Sequence, residues 1–378
     1  MKKIVFLTGT RADYGKLKSL MKVVQNSHDF ELHVFVTGMH MLQKYGSTYK
    51  ELEQDGFENI YKYINQKSNT HHHMDIALSN TITGLSNYCD EICPDMIVVH
   101  GDRLEALAGS IVGAFNNIKV MHIEGGEVSG TIDESIRHSI TKMSHYHLVA
   151  NDEAKKRIIQ LGENEESVFV FGSPDIDIMY SNNLPTIGEV KQRYSIPFDK
   201  YSILMYHPVT TEVEKLKSNI KEVVDAAILS NKNYVVIYPN NDSGSDIILK
   251  EYNRLKNNDK FVIYPSMRFE YFLTLLKECD FIMGNSSSGI REACAYGKVA
   301  IDIGNRQKGR YSNSIKNIIH SNENCDNIIR LISEIRDKSV NIKSHFGDGN
   351  SDKKFLDIIS NDKIWNSEIQ KRFIDIDF

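Results

Sequence analysis

Three carboxylates stand where a parallel sheet would gather them. His100-Gly101-Asp102-Arg103 follows the apolar run Met96–Val99, and His122-Ile123-Glu124-Gly125-Gly126-Glu127 grows out of Lys119–Met121, with Asp133 shortly after. Polar groups at the C-terminal ends of neighbouring parallel strands converge on one crevice. Gathered there, Asp102, Glu124 and Asp133 have the makings of proton-transfer machinery rather than of surface charge.

Further loops offer cations and hydroxyls. Thr8–Lys16 (TGTRADYGK) leaves a first strand and opens a helix. It is neither a dinucleotide-binding glycine fingerprint nor a P-loop. Arg11 supplies a bidentate donor and Lys16 a point charge, fit either to clamp a diphosphate or simply to face solvent at a helix start. Gly284–Glu292 (GNSSSGIRE) has the same placement later in the chain. There Ser286 and Ser287, with free N–H groups at a helix start, would hold phosphate, and Glu292 would accept from ribose hydroxyls; ordinary serine capping is the alternative. His207, Asn240 and Arg306 lie in YHPVTT, YPNND and IGNRQ, three more strand-end runs. His207 precedes a proline, which keeps it extended, and in its protonated form it would donate to a leaving phosphate oxygen.

Two nearby features have plainer readings. Thr131 and Glu134 fit a capping box, and Asp133 with Arg137 fits an i,i+4 helix ion pair. His71–His73 resembles a metal tract, but with no matching Cys or carboxylate spacing it reads as an exposed loop.

Short apolar runs alternate with helix-length amphipathic stretches throughout, which predicts parallel, doubly wound sheets. Strands are expected at 4–9, 31–38, 96–102, 119–126, 146–151 and 168–172, then at 202–206, 234–239, 261–265, 280–285 and 298–304. Helices are expected over Lys16–Gln25 and Asp75–Cys93. At 378 residues the chain should form two domains. Pro185, Gly188 and Pro197 place the hinge between Ser181 and Lys200. We therefore expect a Rossmann-like domain over 1–180 with the carboxylates, a second over 181–360 that binds nucleotide, and a helix over 361–378 packing back across the hinge. Two such halves would enclose a small molecule in a cleft.

A net charge of −5 provides no basic field for nucleic acid, so an anionic ligand must be held by local cations. No apolar run is long enough for a membrane span. Five cysteines without framework spacing read as reduced thiols of a cytoplasmic protein.

Two anion sites beside an acidic cluster suit a nucleotide sugar. Departure of a nucleoside diphosphate from C1 gives oxocarbenium character that acidifies C2–H, and a carboxylate can take that proton. The leaving group needs charge stabilisation more than a covalent nucleophile. The runs TGTRADYGK, VTGMH, VVHGDRLEALA, HIEGGEVSGTIDESIRH, HPVTT, YPNND, GNSSSGIREA and GNRQ resemble the hydrolysing UDP-N-acetylglucosamine 2-epimerases of sialic-acid-type pathways, including the epimerase half of the animal bifunctional epimerase/kinase. The non-hydrolysing enzymes typically read GTRPE, GDT and EAG where this chain has GTRAD, GDR and EGG.

The resemblance implies a glycosyltransferase-B-like double Rossmann fold, no metal and no cofactor. It implies conversion of UDP-N-acetylglucosamine and water to N-acetylmannosamine and UDP, through anti elimination to 2-acetamidoglucal and then hydration. By motif position Asp102, Glu124 and Asp133 are the acid/base carboxylates, with the choice of C2 base open. Arg11, Gly15, Lys16, Arg103, His207, Asn240, Met267 (by backbone), Ser286, Ser287, Glu292 and Arg306 would contact the nucleotide. A homo-oligomer, dimer or tetramer, is implied too. Similar bacterial enzymes act on UDP-N,N'-diacetylbacillosamine in legionaminic acid synthesis, and no short motif here separates the two sugars. A glycosyltransferase or a non-catalytic nucleotide-sugar sensor on the same scaffold are the competing classes; the first leaves two of the three carboxylates without work.

Overall fold

The computed structural model describes residues 1–66, 73–128, 132–181, 184–311, 316–335 and 346–375. Thr131, and with it the proposed capping box, lies outside them, as do His71 and His72. The chain divides into two compact units, one of Met1–Glu127, Asp133–Ser181 and His345–Phe378, the other of Val128–Ile132 and Asn182–Ser344.

The first unit is built on seven parallel strands: β1 Lys2–Thr8, β2 Phe30–Val36, β3 Ile60–Lys62, β4 Met96–His100, β5 Lys119–Ile123, β6 Tyr146–Val149 and β7 Val168–Val170. Their order is β3-β2-β1-β4-β5-β6-β7. Successive side chains on a strand face opposite ways. Ile4, Phe6, Val34, Met96 and Val98 accordingly pack on one face with Leu17, Leu20 and Val24 of the Arg11–Gln25 helix. Val5, Leu7, Phe35, Ile97 and Val99 pack on the other with Leu85, Ile136 and Ile140. Burial on both faces is why these strands read as unbroken apolar runs.

The second unit repeats the plan with six: β8 Ser202–Met205, β9 Tyr234–Ile237, β10 Phe261–Tyr264, β11 Phe281–Gly284, β12 Val299–Ile303 and β13 Ile318–Ser321, in the order β10-β9-β8-β11-β12-β13. The expectation of α/β architecture with parallel sheets holds. The helix over 75–93 is found at Met74–Ile92, and the first helix begins at Arg11, five residues before the expected Lys16.

The return to the first unit comes earlier than the expected residue 361. Phe355, Ile359 and Ile364 belong to the core that contains Phe6, with the Phe6 and Phe355 rings edge-on at 6.0 Å. Lys119 Nζ donates to the carbonyls of Ile364 (3.0 Å), Trp365 (2.8 Å) and Ser367 (2.9 Å), closing the end of the short Asp362–Asn366 helix. The second unit therefore ends at Ser344, not at 360.

Candidate active site

In each sheet strand order reverses once, between β1 and β4 and between β8 and β11. Those switch points are where open α/β sheets take ligands. Asp102 and Arg103 lie just beyond β4, the Thr8–Lys16 run spans the end of β1, and Glu124 is the first residue past β5.

Arg137 joins two of the predicted residues, Asp102 by its carboxylate and Glu124 by its backbone. This guanidinium, buried on the Ile132–Met143 helix, pairs through Nη2 with Asp102 Oδ2 and through Nη1 donates to the Glu124 carbonyl at 2.5 Å. Asp133, half-buried, sits one turn earlier on that helix. Arg137 thus reaches beyond its own helix to both Asp102 and Glu124. Glu134 stands 3.7 Å from His138, its own i,i+4 neighbour.

Glu124 is buried and carries φ +63°, in the left-handed region that costs a non-glycine residue on the order of 1 kcal/mol or more. Its Oε1 accepts from Ser173 Oγ at 2.8 Å and from Lys16 Nζ at 3.3 Å, and His100 Nε2 stands 3.3 Å from Oε2. Lys16 also lies 3.7 Å from the wholly buried Asp175. Lys16 therefore reaches both Glu124 and Asp175. His122 ties the two acidic runs together by donating from Nε2 to the Gly101 carbonyl at 2.8 Å. Burial drops this imidazole to about 3, so it is neutral and structural.

The Thr8–Lys16 turn is self-organised. Asp13 accepts from Thr8 Oγ1 (2.6 Å), Gly9 N (3.0 Å) and Thr10 N (3.0 Å), while Thr10 caps the helix in return. Gly9 has no room for a side chain, because a Cβ would stand 2.9 Å from the Glu105 carboxylate. Arg11 is paired with Glu51, and Arg103 Nε is 3.5 Å from Glu105. Gly15 lies on the buried face of the Arg11–Gln25 helix.

The second unit brings His207, Asn240 and Arg306 together around Asn285, just past the end of β11. The Asn285 side chain accepts from His207 N at 2.6 Å and donates to His207 O at 2.9 Å. Its own carbonyl accepts from Arg306 Nη1 at 3.2 Å and Gln307 Nε2 at 2.8 Å. Asn240 N donates to His207 Nδ1 at 3.0 Å. A backbone N–H can only donate, so Nδ1 is the acceptor and the neutral ring carries its proton on Nε2. The expected donor is therefore neutral imidazole rather than the protonated ring, since a proton on Nδ1 would break that bond. Met267 is buried beyond β10.

The helix expected after Ser286 is two short pieces, Ser287–Ile290 and Glu292–Ala295, interrupted at Arg291. Ser286 caps the first by accepting from Ser288 N, and the buried Glu292 opens the second. Local N–H groups, not a long helix dipole, are what this loop offers an anion. Sequence reasoning missed Asn285, Ser173, Asp175, Glu105 and the role of Arg137. The Asn in the Gly284–Ser288 run and the Ser-Pro-Asp after β7 were the available signals, both being polar residues at strand ends. Among the described residues no helix is long and apolar enough to cross a membrane.

Two parallel-sheet units with polar clusters at their switch points define a doubly wound α/β protein. The UDP-N-acetylglucosamine 2-epimerase profile matches residues 22–360, and the chain belongs to that family. It is 47% identical over 380 residues to the UDP-N-acetylglucosamine 2-epimerase of Neisseria meningitidis serogroup B, covering 100% of each chain. It is 33% identical to the UDP-N,N'-diacetylbacillosamine 2-epimerase (hydrolyzing) of Legionella pneumophila, over 95% of this chain and 96% of that one. The crystal structure of the Methanocaldococcus jannaschii UDP-GlcNAc 2-epimerase in complex with UDP-GlcNAc and UDP superposes with a TM-score of 0.80 at 21% identity, covering 95% and 99% of the two chains. That likeness extends the glycosyltransferase-B-like topology to this fold.

Proposed function

We propose that this protein is a hydrolysing UDP-N-acetylglucosamine 2-epimerase, which converts UDP-N-acetylglucosamine and water to N-acetylmannosamine and UDP in the cytoplasm, at the entry to sialic acid synthesis. The observation that carries the reading is the joining of Asp102 and Glu124 through Arg137 at the ends of β4 and β5. Two carboxylate-bearing residues fastened to one guanidinium, Asp102 by its side chain and Glu124 by its backbone, suit elimination followed by hydration, whereas a glycosyltransferase needs only one base.

One carboxylate takes the proton from C2 while the C1–O bond breaks and its electrons leave with UDP, giving 2-acetamidoglucal. Water then adds its hydroxyl to C1, and a proton reaches C2 from the opposite face. Asp102, Glu124 and Asp133 carry these transfers. Removal of any one should cost about 10²–10⁴ in rate. His207, with its proton on Nε2, donates to the leaving phosphate oxygen without first being protonated. Ser286, Ser287, Asn240, Met267, Glu292 and Arg306 hold the nucleotide, with Arg11, Gly15, Lys16 and Arg103 at the diphosphate and sugar. No metal or cofactor takes part, and the protein acts as a homodimer or homotetramer.

The Legionella relative supports a second reading, in which the sugar is UDP-N,N'-diacetylbacillosamine. Offering each UDP sugar in D2O and following products by NMR tests both. The first reading expects free UDP and C2-deuterated N-acetylmannosamine. A UDP-linked epimer without UDP release would refute hydrolysis, product without C2 deuterium would refute the elimination, and turnover only with an added acceptor would point to a glycosyltransferase.

A further inference from the structure

We infer that Arg137 is a positioning residue for this reaction, a single fork that sets the Asp102 carboxylate and the Glu124 backbone in register with each other. The inference rests on the reading of those two residues as proton-transfer groups. Arg137 has only 3% of its side chain exposed. It binds two acceptors of different kinds, a carboxylate from the loop after β4 and a main-chain carbonyl from the loop after β5. A guanidinium is planar and holds its two Nη donors at a fixed spacing, so the acceptors cannot move independently while both bonds stand.

The second bond matters because of the conformation it fixes. Glu124 has φ +63°, and Gly126 beyond it has φ +74°. The Glu124 N–H is already held, donating to the Leu148 carbonyl of β6 at 3.0 Å. Arg137 holds the other side, the carbonyl, so both peptide planes flanking this residue are pinned. With this backbone the carboxylate reaches Ser173, Lys16 and His100. With the carbonyl released, the Glu124–Gly125 peptide is free to turn towards an ordinary extended conformation, and the carboxylate leaves those partners. Asp102 is 23% exposed, and an ion pair open to solvent on one side adds little stability, so the pair is better explained by the geometry it imposes.

Lysine at 137 keeps the positive charge but reaches one acceptor at a time. Arg137→Lys should therefore retain its fold and its calorimetric affinity for UDP within about two-fold, while kcat falls about 10²-fold with KM nearly unchanged, the scale of a misplacement near 1 Å. Arg137→Ala should lose at least as much, and added guanidinium should restore part of its kcat. Wild-type kcat in either variant overturns the inference while leaving the function intact. A loss confined to KM and UDP affinity overturns it also, because that would make Arg137 a binding group. Unfolding of both variants would return Arg137 to a purely structural part. Failure of the wild-type protein to release UDP from either sugar would sink the functional reading itself, and the inference with it.

Discussion

Replacing Asn285 by alanine strips two hydrogen bonds from the backbone of His207, one received by Asn285 Oδ1 at 2.6 Å and one given by Nδ2 at 2.9 Å. Asn285 is 1% exposed and His207 4%, so water does not readily replace either bond. Each lost partner at a buried polar group costs about 1–3 kcal/mol. For the His207 amide alone that range corresponds to exchange with solvent faster by roughly 5- to 150-fold. The Asn240 amide, which donates to His207 Nδ1, should accelerate with it, because its acceptor ring is no longer held. The Glu124 amide, bonded to Leu148 in the other sheet, is an internal reference that should not change. Hydrogen exchange read by mass spectrometry over the peptides containing His207, Asn240 and Glu124 measures all three. Calorimetric titration should show UDP binding weakened by a comparable factor. Exchange of His207 and Asn240 within two-fold of wild type would refute the account of Asn285 as the hub of the second unit's cluster.

Three further outcomes are expected. Asp102→Asn, Glu124→Gln and Asp133→Asn should each fold, bind UDP and lose roughly 10²-fold or more in turnover; near-normal rates in all three would contradict the acid/base assignment. Gly284→Ala should cost at least about 2 kcal/mol in urea unfolding, because φ is +132° and a Cβ would stand 2.0 Å from the Met205 carbonyl; an unchanged midpoint would show that β8 yields. Burial lowers His40 to about 4 and His122 to about 3, so below the unfolded value near 6.5 the unfolded chain binds protons that the native state refuses. Stability is full above pH 6.5 and falls on acidification, by about 2 kcal/mol for each of these groups at pH 5; a flat urea midpoint between pH 7.5 and 5 would refute this.

The buried strands were legible because a run such as Ile4–Leu7 or Met96–Val99 is apolar on both faces and needs no partner to be recognised. Two edge strands were not. Ile60–Lys62 and Ile318–Ser321 are only three and four residues long and carry partly exposed positions, so neither makes an apolar run. The amphipathic Ser351–Ile359 helix carries a recognisable pattern, but which sheet its Phe355 and Ile359 would cover depends on long-range packing that no local period encodes. The carboxylates were readable by type and position at strand ends. Their supports were not, because Ser173 meets Glu124, and Arg137 meets Asp102, only through the pairing of distant strands.

The first unit is interrupted in sequence by the second, and biosynthesis must respect that order. When the chain has grown to Ser181, the apolar face around Phe6 still lacks Phe355, Ile359 and Ile364. At ~5–20 residues added per second, the stretch from Asn182 to Ser344 occupies the ribosome for roughly 8–30 seconds. Throughout that interval the nascent sheet presents a bare patch to chaperones and to neighbouring polypeptides. The second unit is meanwhile spelled out in full, so the unit that is begun first is the last to be sealed.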